Sequence, residues 1–99
     1  MLELTPEARR AVLALVVGQD AGATAGLRIS PGPHSAADRT WDYTVVHAPY
    51  EGDVVIEEGG SRVFVDPDAA TELQDAILDA HVEEQSLDTR FVIRLRDAG

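Results

Sequence analysis

The spacing of apolar positions changes several times along the chain, and each change marks an element. Thr5, Pro6 and Glu7 supply an N-cap, a first helical residue with preset φ, and an acid suited to the positive end of a helix dipole. Ala8, Ala11, Val12, Leu15 and Val16 then recur at helical spacing, with Glu7, Arg9 and Arg10 off the stripe, so the pattern predicts a helix ending at Gly18. Gly18, Gly22 and Gly26 punctuate a connection to a short apolar stretch, residues 27–29, which reads as a strand. The run Ser30-Pro31-Gly32-Pro33-His34-Ser35-Ala36-Ala37-Asp38 has no apolar period and two prolines, and is expected to leave the strand as an exposed loop.

Over residues 40–47, Trp41, Tyr43 and Val45 alternate with Thr40, Asp42 and Thr44, the two-residue period of a half-buried strand. Core packing is the expected use of Trp41 and Tyr43. Strands over 54–58 and 62–66 flank Gly59-Gly60, a connection suited to the positive φ angles of a tight hairpin. Asp66 and Pro67 repeat the cap-then-proline signal, and Ala69, Ala70 and Leu73, continued by Ile77, form the buried stripe of a short second helix. Residues 77–84 fit either helix or strand, with His81 and Val82 in the more strand-like half. After a turn over 85–89, Phe91, Ile93 and Leu95 alternate with Arg90, Val92, Arg94 and Arg96, giving a strand with one apolar face and one mostly cationic face. That row of arginines is expected to be a solvated face balancing nearby acids.

A length of 99 residues fits one domain, residues 1–99, with a core too small for a large margin of stability. An apolar fraction of 44% and a charged fraction of 26% place it with folded soluble chains rather than disordered ones. Charge narrows the partners. Eighteen acids face eight basic residues, all arginine, for a net charge of -10, so phosphate backbones and anionic membranes are repelled. Neither nucleic acid nor membrane is an expected partner, and the absence of lysine excludes a Schiff base. No apolar run reaches the length of a membrane span, and Met1-Leu2-Glu3-Leu4 lacks the basic and apolar regions of a signal peptide. Cytoplasmic residence is the expectation.

The chain has no cysteine, which excludes thiolate-held zinc or iron–sulfur clusters, a cysteine nucleophile and disulfides within these residues. Ser35, Ser61 and Ser86 sit in no nucleophile motif, and neither a phosphate-binding glycine loop nor a metalloprotease helix occurs. His47, closing a strand ahead of Pro49, reads as a half-exposed packing residue. No catalytic residue is assigned, and the expectation is a protein that is not an enzyme.

Four stretches, taken in order, carry a resemblance: Leu4-Thr5-Pro6-Glu7-Ala8; Gly26-Leu27-Arg28-Ile29; Glu51-Gly52-Asp53-Val54-Val55-Ile56-Glu57-Glu58; and Arg62-Val63-Phe64-Val65-Asp66-Pro67. Together they resemble the A-type iron–sulfur carrier (HesB/IscA-like) domain over nearly the whole chain. The resemblance implies an α+β fold, a small mixed β-sandwich or half-barrel with two short helices, that assembles into dimers or larger oligomers. It also implies one cysteine in the loop after the residue 27–29 strand and two near the carboxyl terminus. The first position falls near Ala36, and the sequence ends at Gly99 ahead of the paired ones, so all three thiolates are expected to be missing.

Histidine and carboxylates are the remaining metal donors. His34 and Asp38 share the loop of the lost ligand, and His81, with Glu83 nearby in sequence, is a third donor for borderline or hard iron. The ordinary reading of all three is a solvated polar surface, so no cofactor is favoured and iron is the alternative. Two functional readings follow. The favoured one is a cluster-free relative of the carriers that binds a protein partner, with a homodimer among its assemblies. The other is an iron-binding protein using His34, Asp38 and His81.

Overall fold

The computed structural model describes residues 2–20, 22–32, 41–82 and 89–95. In chain order the elements are β1 (Glu3–Leu4), α1 (Pro6–Gly18), β2 (Gly26–Pro31), β3 (Trp41–Val46), β4 (Val54–Glu58), β5 (Ser61–Val65), α2 (Pro67–Glu72), β6 (Ala76–Val82) and β7 (Thr89–Leu95). Helix α1 starts where its cap predicts: the Thr5 hydroxyl accepts the Ala8 N–H at 3.1 Å, and Pro6 fills the first turn. The β4–β5 hairpin also forms as expected, with Gly59 and Gly60 at φ 58° and 86°.

The strands make two sheets, ordered β3-β2-β5-β4 and β1-β6-β7. Each is mixed, because β2 runs parallel to β5 and β1 parallel to β6 while the remaining pairs are antiparallel. Neither sheet closes into a barrel. This is the α+β architecture of two mixed sheets and two helices. Helix α1 packs against both sheets through Ala8, Ala11 and Val12, all buried. Strand alternation supplies the rest of the core, with Leu27, Ile29, Ile56, Val63 and Val65 from one sheet and Leu4, Ala76, Leu78 and Ala80 from the other. Trp41 and Tyr43 pack against this core as expected, and the Tyr43 ring lies 5.4 Å from that of Phe91.

Phe64 points to the opposite face of its sheet and is nevertheless 1% exposed. The bare Cα of Gly26 makes room for it: a Cβ there would stand 2.9 Å from the Phe64 ring and 2.6 Å from the Arg62 carbonyl oxygen. Gly26 therefore serves close packing between adjacent strands.

Two expectations need correction. Ile77 does not extend the second helix, which ends at Glu72. Strand β6 begins at Ala76, where Ala76, Leu78 and Ala80 turn inward and the residues between them outward. The two-residue period had been hidden by alanines, which fit a helical stripe equally well. Likewise, Ser30 and Pro31 do not leave the strand but pair with Asp42 and Trp41. Pairing of β2 with β5 stops at Ile29, so beyond it the strand has one neighbour and tolerates a residue without an N–H.

Candidate functional site

His34, Ala36 and Asp38, the centre of the proposed ligand loop, lie outside the described residues, as do Glu83, Glu84 and Arg96. His81 is described. It is exposed on the outer face of β6, with Arg90 directly opposite on β7. A guanidinium across the strand pair would repel a metal ion brought to this face. His47 is exposed just past the end of β3, and its carbonyl accepts the Thr24 hydroxyl at 2.8 Å. It is thus more open than the half-exposed packing position expected. Among the described residues, no three His, Asp or Glu side chains gather as a metal-binding group.

The cationic face of β7 is balanced as anticipated at Arg94, which donates to Asp79 at 3.2 Å. Asp79 has a larger part in the architecture. Its Oδ1 accepts the Thr5 hydroxyl at 2.7 Å, so one hydroxyl caps α1 and ties the helix to β6. That hydrogen bond first, then the Ala80 N–H and the Arg94 charge, hold the Asp79 carboxyl below the usual carboxylate range.

The most interconnected polar group was not anticipated from the sequence. Arg28, on the outer face of β2, donates through Nε and Nη2 to both oxygens of Asp53 at 3.0 and 3.1 Å, and through Nη2 to Asp66 at 2.9 Å. Its side chain is 13% exposed and that of Asp53 is wholly buried. The Tyr50 ring covers the guanidinium at 4.0 Å, and the Tyr50 N–H donates to Asp53. Asp66 meanwhile caps α2 through the Asp68 N–H. The hydrogen bond to Asp53 first, then that to Asp66 and the charges of both carboxylates, raise the guanidinium pKa further against the opposing effect of burial. This clasp joins β2, the turn before β4 and the start of α2. An arginine between Leu27 and Ile29 in an apolar strand was the sequence signal for it. No buried polar side-chain atom among the described residues lacks a hydrogen-bond partner, so the clasp is suited to fixing geometry.

Two grooves remain. One, of about 410 Å3, runs between β4 and α2, with Val54 on one side, Pro67 and Ala70 on the other, and the buried Ile56, Val65 and Leu73 beneath. The other, of about 550 Å3, lies where α1, β3 and β7 meet, and includes Leu15, Tyr43, Phe91 and Arg90. Burial pushes the Tyr43 hydroxyl beside it up to about 12. No helix among the described residues is long and apolar enough to cross a membrane.

No protein-family model matches the chain, and no curated protein matches its sequence. Solved structures do. SufA of Escherichia coli, involved in biosynthesis of iron–sulfur clusters, superposes with a TM-score of 0.79 at 24% identity, over 99% of this chain and 82% of SufA. The chain has the SufA fold. IscA, in a structure with a [2Fe-2S] cluster, follows at 0.68 and 23% identity, over 96% of this chain and 82% of IscA. A protein from Aquifex aeolicus gives 0.75 at 23% identity, over 96% of this chain and 91% of that one. The fold implied by the four sequence stretches is therefore the observed one. Those stretches are explained by it: Arg28, Asp53 and Asp66 form the clasp, Gly26 accommodates Phe64, and Thr5 caps α1.

Whether the residues present fit the cluster carried by IscA can be judged from their donors. Iron–sulfur clusters are held chiefly by thiolates, and the 99 residues contain none. The donor set does not fit a thiolate-ligated cluster.

Proposed function

We propose that this chain is a non-catalytic, cluster-free relative of the iron–sulfur carriers and works as a protein-binding module. One observation carries the proposal: the chain has the SufA fold, fastened in this chain by the buried Arg28–Asp53 pair, while holding no cysteine in 99 residues. A fold that forms from residues without a thiolate still presents its surfaces, and surfaces support partner binding rather than cluster chemistry. A cytoplasmic setting, a protein partner and assembly with a second copy belong to the same proposal.

Metal analysis of tag-free protein tests it. The protein is purified without chelators, titrated anaerobically with ferrous iron, and compared with His34→Ala and Asp38→Ala variants. The expected result is no stoichiometric iron in any of them. Near-stoichiometric iron that disappears in the variants would replace this reading with a non-thiolate iron site in the loop.

A further inference from the structure

We infer that the groove between β4 and α2 takes an extended, cationic segment of a partner protein, with apolar side chains alternating with lysine or arginine. The inference rests on the protein-binding reading and names the class of partner. The first observation is shape. The groove has an apolar floor of Ile56, Val65 and Leu73, and runs beside β4, one of the two edge strands of its sheet. An edge strand offers unpaired backbone groups to an added strand, and natural edges are commonly guarded by lysine. This edge has no lysine, and Val54 and Val55 remain 37% and 47% exposed.

The second observation is charge. Residues 51–75 hold eight of the chain's eighteen carboxylates against a single arginine, Arg62. Four are neutralised: Asp53 and Asp66 by Arg28, Glu57 by Arg62, and Glu58 by Arg9. Glu51, Asp68 and Asp75 are exposed and have no arginine against them among the described residues. Asp68 follows groove residue Pro67, Asp75 follows groove residue Gln74, and Glu51 precedes groove residue Gly52. The apolar channel is thus bordered by carboxylates of one sign. A second copy of this chain would bring the same carboxylates together, whereas a cationic segment complements them.

A short fluorescent peptide alternating valine with lysine is the probe, followed by anisotropy. It is expected to bind saturably, and about tenfold more weakly once salt screens exposed charges. Matched peptides with glutamate for lysine, or serine for valine, are expected not to bind. Thr71→Trp places bulk on the exposed wall of the groove and is expected to abolish binding, with Gln74→Trp as a second blocking variant. The combined Glu51→Gln, Asp68→Asn and Asp75→Asn variant is expected to bind about tenfold more weakly at low salt. Equal binding of the serine–lysine peptide, or binding unchanged in both blocking variants while their melting curves match the parent, overturns the inference, as does no binding at all. Those outcomes leave the cluster-free reading standing, because that reading fails on the metal titration whatever the peptide does.

Discussion

Replacing Arg28 with alanine tests whether the clasp holds the fold together. The change removes three charge-assisted hydrogen bonds, at 3.0, 3.1 and 2.9 Å, and strands the Asp53 carboxylate, whose side chain has no exposure. Breaking a buried pair by deleting one partner costs about 3–5 kcal/mol, chiefly because the remaining charge is left unpaired. Asp53 keeps the Tyr50 N–H, and Asp66 is partly exposed and keeps the Asp68 N–H, which argues for the lower end, about 3 kcal/mol. In urea, with an m-value of about 1 kcal/mol/M for a chain of this size, the unfolding midpoint should fall by about 3 M. Arg10→Ala is the control. It breaks an exposed pair with Glu7 whose side chains are 76% and 61% exposed, and should move the midpoint by less than about 0.5 M. Adding Asp53→Asn to Arg28→Ala should restore part of the loss, since it removes the stranded charge. If Arg28→Ala costs no more than Arg10→Ala, or if Asp53→Asn deepens the loss, the structural account of the clasp is wrong.

Three further outcomes follow from the same geometry. Gly26→Ala drives a Cβ into the Arg62 carbonyl and the Phe64 ring and should cost about 1–3 kcal/mol in denaturant unfolding, with no relief from the shape of the φ distribution because the obstacle is steric. Tyr43, pushed up to about 12 by burial, contributes stability that is intact below its ordinary value of 10.0 and is lost as pH rises through about 12. Absorbance titration should show one of the two tyrosines ionising late, and Tyr43→Phe should remove that step and flatten the alkaline loss of stability. Asp79 is shifted the other way, so its contribution is present above its ordinary value of 3.8 and lost as pH falls below it. The stability gap between the parent and Asp79→Asn should therefore close on acidification, and a gap that widens would contradict the Thr5–Asp79 hydrogen bond.

Local features of this fold were legible because neighbours in sequence produce them. The Thr5-Pro6 start of α1, the Gly59-Gly60 hairpin and the inward face of Trp41 and Tyr43 all depend on residues within one turn or one strand. The beginning of β6 was not legible, because alanine at residues 76 and 80 satisfies either period until β1 and β7 pair with the strand. Pairing of β2 with β5, and the joining of Arg28 to Asp53 and Asp66 across 25 and 38 residues, are tertiary outcomes that periodicity does not encode. The resemblance to the carriers supplied the architecture that periodicity lacked. It located the fold's fastening residues better than its chemistry, because the matching stretches are those that make the clasp and the tight Gly26 crossing.

The central claim is a carrier fold that carries no cluster, and transfer from a loaded carrier tests it most directly. IscA holding its [2Fe-2S] cluster is incubated anaerobically with this chain, the two are separated, and iron and acid-labile sulfide are measured on each. The account predicts that both stay with IscA and that the visible spectrum of the re-isolated chain is featureless. Iron and sulfide recovered on this chain in equal, stoichiometric amounts would contradict it.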